Sequence, residues 1–143
     1  MLITQISVFV ENSLGGLLDV TEVLKCAEID IRALSLADTT DFGILRLIVS
    51  DPEKTAEVLH QADIPFTKTV VIAAELEDQP GAIHKVFRAL CEAGVSVEYT
   101  YAFLTPTDHK AYAVLRVEDN AKAIAALTQQ GISLLEAKHI YCL

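Results

Sequence analysis

The chain has 143 residues, 52% of them apolar, and a formal net charge of −9. That length suits one ordinary domain or two small ones with a packed core, and the acidic balance argues against nucleic acid or anionic lipid as a partner. Charged residues interrupt every apolar stretch before the ~18 residues of a spanning helix, so no membrane segment is expected.

In chain order, residues 3–10 alternate, with Ile6, Val8 and Val10 on one face, and read as a strand. This start has no basic leader region, so no signal peptide is expected. The strand stops at "ENSLGG", and Leu17, Val20, Val23, Leu24 and Ala27 then follow helical spacing. "DIRALSLA" and "FGILRLIV" read as the second and third strands. In "DPEKTAEVLHQA", Asp51 as N-cap, Pro52 in the first helical position and Glu53 in the first turn mark a helix start. "TKTVVIAAEL" closes this unit and runs into the next. There the order returns: a strand over 71–76, "EDQPGA", a helix over 81–93 stopped by Gly94, strands "VSVEYTYAFL" and "KAYAVLRV", a helix over 120–130, and "SLLEAKHIYC" as a last strand.

The second half is a diverged copy of the first. At an offset of 66, Glu11, Gly15, Val20, Leu24 and Ala27 meet Glu77, Gly81, Val86, Leu90 and Ala93. At an offset of 68, Leu47, Val49, Asp51, Lys54, Leu59, Gln61 and Ile64 meet Leu115, Val117, Asp119, Lys122, Leu127, Gln129 and Ile132. The expected fold is therefore α+β: two ferredoxin-like βαββαβ units in tandem, residues 1–69 and 70–143, each an antiparallel sheet with helices on one face. The third strand is apolar on both sides, so the helix-free face or an edge should meet another sheet.

Fold does not fix function. An RNA-binding sheet needs exposed aromatics in a basic surround. A metal carrier needs paired cysteines in the first loop, where Asn12–Ser13 and Asp78–Gln79 stand, and a phosphate-cleaving relative would need an arginine cradle there. Cys26, Cys91 and Cys142 are odd in number and far apart, which fits a reducing cytoplasm. Cys26 and Cys91 read as small buried hydrophobes. His60, His84, His109 and His139 fall on different elements and read as surface or edge residues. No catalytic activity, metal or cofactor is expected.

The two glycine loops remain. A glycine turn into a helix N-terminus leaves N–H groups pointing outward at the positive end of the dipole, which suits a carboxylate. Asn12 or Asp78 beside the loop would then select an ammonium group. They read equally well as ordinary turn and cap residues. "ADTTDFG" divides the same way: Asp38, Thr39, Thr40 and Asp41 are either a polar hairpin turn or a group near a ligand or dimer contact. Arg46, inside an apolar strand, should pair with a carboxylate across the sheet.

"VENSLGGL" and "LEDQPGAI" resemble the E-N-x-P-G-x-L loop of ACT domains, small regulatory modules that bind amino acids. "IDIRALSLADTTDFGILRLIV" resembles the stand-alone tandem members of that family, which carry no catalytic domain. The resemblance implies a free amino acid held where two ACT units meet. Asn12, Ser13, Leu14, Gly15 and Gly16 would form one loop, and Asp78, Gln79, Pro80 and Gly81 the other. Asp30 and Ser96 would stand at the start of the facing second strand. Leu14 departs from the usual proline and Asp78 from asparagine, so Asn12 is expected to be the better ligand residue. The reading is a non-catalytic, cytoplasmic amino-acid sensor whose expected partner is a second copy of itself. The alternative is a docking module for a separate metabolic enzyme, without its own ligand.

Overall fold

The computed structural model describes residues 1–38, 41–105 and 110–142. Thr39, Thr40 and His109, singled out above, lie outside the described residues. The elements run β1 (Ile3–Glu11), α1 (Gly16–Cys26), β2 (Ile31–Asp38), β3 (Phe42–Val49), α2 (Pro52–Gln61), β4 (Phe66–Leu76), α3 (Ala82–Glu92), β5 (Val97–Leu104), β6 (Ala111–Val117), α4 (Asn120–Gln129) and α5 (Ala137–Tyr141). The chain forms two compact units, Thr4–Thr69 and Val70–Leu143, the latter joined by Met1–Ile3. β4 spans the boundary, closing one unit and opening the other.

In the N-terminal unit the strand order is β2-β3-β1 followed by the start of β4, all consistent with a βαββαβ sheet. The register sets Val8 opposite Leu45 and Ile6 opposite Leu47. These residues, with Val10 and Val49, form a core with Val20 and Leu24 of α1 and Leu59 of α2. The helix starts follow from the sequence. Asp51 accepts a hydrogen bond from the Lys54 N–H, with Pro52 in the first turn.

The C-terminal unit repeats this with β4-β6-β5. Its core joins Ile72, Ala74, Ala113, Leu115 and Val117 to Val86 and Leu90 of α3 and Leu127 of α4. Asp119 caps α4 through the Lys122 N–H, as Asp51 caps α2.

Two expectations are corrected. "SLLEAKHIYC" is not a strand throughout. Residues 133–135 do pair along β4, with Glu75 N–H on Ser133 O (2.8 Å) and Leu135 N–H on Ala73 O (2.9 Å). The chain then turns at Glu136 into α5. Ala137, Ile140 and Tyr141 are apolar at helical rather than alternating spacing, and Ile140 is fully buried. Cys26 and Cys91 are exposed rather than buried, because they lie on helix faces turned from the core, and Cys142 is exposed as well. Arg46 has Ser7 and Ser35 directly opposite it on the neighbouring strands.

Candidate functional site

Both strand-to-helix loops take one backbone path. Gly15 (φ 94°) and Gly81 (φ 93°) are the N-caps of α1 and α3, in a region that side chains rarely adopt. Ser13 N–H donates to Glu11 O and Gln79 N–H to Glu77 O, both at 2.8 Å. Gly16 and Ala82 N–H groups donate back to Ser13 and Gln79 O, both at 3.3 Å. The first turns close with Asp19 N–H on Gly15 O (2.9 Å) and Lys85 N–H on Gly81 O (3.0 Å). The amides before those donors, of Leu17 and Leu18 and of Ile83 and His84, have no helical carbonyl to meet. Neither helix has a side-chain cap among the described residues. A Cβ on Gly15 or Gly81 would meet nothing within 4 Å, so there is open space above both turns.

The two glycines of the first loop serve different purposes. A Cβ on Gly16 would lie 2.8 Å from a Val10 methyl and 3.0 Å from Glu11 O, so its absence lets α1 start tight against the end of β1. Leu14 is fully exposed at the tip. Asn12 lies beside Gly43 on β3, where a Cβ would stand 3.6 Å from Asn12 Oδ1 and 3.1 Å from a Leu36 methyl. Gly43 is thus a neighbour of Asn12 at ordinary contact distance, and the contact its missing Cβ spares is the one with Leu36. The sequence reading missed it, since only the β1–β3 register brings the two together, Val10 opposite Gly43.

Around the second loop, Glu77 is held by Lys85 (3.8 Å) and by the Gln79 side-chain amide. A hollow of about 60 Å³ lies beside it, lined by Glu75, Glu77, Lys85, Val86, Ile132 and Ser133. Lys110 pairs with Glu75 at 3.1 Å. Lys85 stands where the first unit has Asp19, so a cation replaces an anion in the first turn of the helix that follows the second loop.

Asp30 and Ser96 do not join the loops of their own units. Asp30 precedes β2, at the end of the sheet where Ile31 faces Val49, whereas the Asn12 loop follows Glu11, which faces Phe42 at the other end. Asp30 is exposed. It accepts a 2.6 Å hydrogen bond from Arg32 Nη1, and its backbone N–H meets the Ser50 hydroxyl at 3.0 Å. Ser96, at the equivalent place before β5, is exposed beside Glu118, Asp119 and Asn120. Each loop therefore needs a facing unit to complete the arrangement that the resemblance implies. Among the described residues, no group of three His, Cys, Asp or Glu side chains is placed to hold a metal. No described helix is long and apolar enough to cross a membrane.

Two tandem βαββαβ units with glycine-capped first helices define a paired α+β architecture of the ferredoxin-like kind. The chain belongs to the ACT domain pair family, whose model matches residues 1–143. It is similar to protein BT0572 from Bacteroides thetaiotaomicron, with 38% identity over 100% of this chain and 98% of that one, and a TM-score of 0.92. Its fold is also that of the regulatory subunits of aspartate kinase from Thermus thermophilus and Thermus flavus. The first is 15% identical over 89% of this chain and 91% of its own, the second 17% identical over 92% and 95%, both with a TM-score of 0.61. No curated protein sequence matches this chain.

Proposed function

We propose that this chain is a non-catalytic regulatory protein of the cytoplasm that binds a free amino acid where two ACT units meet, and that it acts as a homodimer. The observation that carries this reading is the pair of matching loops, each with a positive-φ glycine, a helix N-terminus without a side-chain cap and open space above it. The amides of Leu14, Gly15 and Leu17 would hold the ligand carboxylate. Asn12, which lies beside Gly43, would take its ammonium group. Hydrogen bonds to a charged group contribute about 1.5–3 kcal/mol each, and the helix terminus about 0.3–1 kcal/mol. Asp30 or Ser96 of a facing unit would close the site. In the second loop, Gln79, Pro80 and Gly81 hold the same path, and Asp78 replaces the amide of Asn12 with a carboxylate.

A thermal-shift screen against the twenty amino acids at about 1 mM tests this. A ligand with a micromolar dissociation constant adds about 4.1 kcal/mol at that concentration, which gives a clear rise in Tm for one or two of them. No response to any amino acid would leave the loops as turns and favour a docking module for a separate metabolic enzyme.

A further inference from the structure

The duplication matches α1 and α2 with α3 and α4 position by position, and the charges differ. Asp19, Glu22, Glu28, Glu53, Glu57 and Asp63 are exposed on or just after α1 and α2. At the same places the second unit carries Lys85, Arg88, Gly94, Ala121, Ala125 and Gly131. None of the six carboxylates is retained, and two are replaced by cations. An acidic surface keeps a protein soluble. That does not account for a chain of net charge −9 in which α3 and α4 set Lys85, Arg88 and Lys122 against Glu92 and are net positive. Several of these charges also lack a counter-ion. Among the described residues, Asp19, Glu28, Glu57 and Asp63 form no ion pair, and neither does Lys122. The Arg88 side chain bonds only to His84, at 3.2 Å.

Shape adds to charge. Between α1 and α2 runs an open groove of about 610 Å³, lined by apolar Val23, Ala27, Val58 and Ala62 and by acidic Glu22 and Glu28, with Lys54 as its cation. On α3, His84, Phe87, Arg88 and Cys91 follow i, i+3, i+4, i+7 spacing and are all exposed. One outer stripe of that helix therefore joins apolar and cationic groups. We propose that the α1–α2 groove of one copy receives α3 of a second copy. Arg88 then meets Glu22 and Glu28, and Phe87 and Cys91 meet the apolar lining. Each chain carries one acidic groove and one cationic stripe, so the contact is heterologous: it joins the first unit of one copy to the second unit of the next. It goes beyond the amino-acid reading. It uses neither the glycine loops nor the sheet edges, so either can fail without the other.

The native cysteines report on this contact, since Cys26 also lines the groove and Cys91 lies on the stripe. In a Cys142→Ser chain, a short bismaleimide should join Cys26 of one copy to Cys91 of another. Mass spectrometry of linked peptides from differently labelled copies identifies that link. Surface charge pairs are screened by salt, so raising it from about 20 mM to about 0.5 M should reduce the link several-fold. Glu22→Arg and Arg88→Glu should each reduce it roughly tenfold, because each sets like charges together. Each variant keeps one native half. A mixture should therefore restore the link in one direction only, from Cys26 of the Arg88→Glu chain to Cys91 of the Glu22→Arg chain. Links of Cys26 to Cys26 or of Cys91 to Cys91 in equal amount overturn the proposal, as does a link indifferent to salt or to Arg88→Glu. So does the absence of any link in a chain whose two cysteines both react with a monofunctional maleimide.

Discussion

In the N-terminal unit α1 and α2 run into Glu28 (φ 56°) and Asp63 (φ 54°), whereas in the C-terminal unit α3 and α4 run into Gly94 (φ 66°) and Gly131 (φ 69°). The hydrogen bonds are the same at all four ends. Ile29, Ile64, Val95 and Ile132 N–H groups reach back to Leu24, Leu59, Leu90 and Leu127 O at 2.9–3.0 Å. A left-handed turn costs a residue with a side chain about 1–2 kcal/mol. One backbone is therefore built with strain in the first unit and without it in the second. The first loops differ likewise: Leu14 and the wedged Gly16 stand where the second unit has Pro80 and Ala82. The pairing teaches that the geometry is retained while residues vary, and that the N-terminal unit carries the costlier choices at both its loop and its helix ends.

The largest test of this equivalence lies in the core. Leu24 and Leu90 occupy matched positions and are each 1% exposed. Leu24→Ala and Leu90→Ala should each cost about 2–5 kcal/mol in denaturant unfolding, and a nearly neutral result at either would break the match. Next come the loop glycines. Gly15→Ala and Gly81→Ala meet no atoms, so their cost is conformational, about 1–3 kcal/mol. Equal costs are expected in the two units, and a large difference would show that one loop relaxes. The smallest effect has the opposite sign. Glu28→Gly relieves a positive φ but adds unfolded-chain entropy worth about 0.5–1 kcal/mol. A net gain of about 0.5–1 kcal/mol in stability is expected. No gain would mean that the side chain of Glu28 offsets its own strain.

These features differ in how legible they were. β3 and α2 could be placed from the sequence because an apolar run and the Asp51-Pro52-Glu53 start are local signals. The turns at Glu28 and Asp63 could not, because no glycine marks them. The end of the chain misled because Leu134, Leu135 and Ile140 gave apolar content without alternation, and helical spacing from Ala137 prevailed. In the candidate site, both glycine loops were visible as sequence, together with their duplication. The position of Gly43 beside Asn12 was not, since it depends on strand register across a long stretch of chain. Asp30 and Ser96 were placed by resemblance alone, and the structure leaves them at the far end of their own units' sheets.

The central claim is that the loop amides hold an amino-acid carboxylate. The most direct test is a two-dimensional amide NMR titration of the nitrogen-labelled chain with whichever amino acid raises Tm. Saturable shifts in the amides of Gly15 and Leu17, lost in Asn12→Ala while the rest of the spectrum is kept, are the predicted result. Binding that leaves the amides of both loops unmoved, or that survives unchanged in Asn12→Ala and in the matching Asp78→Ala, would contradict the account.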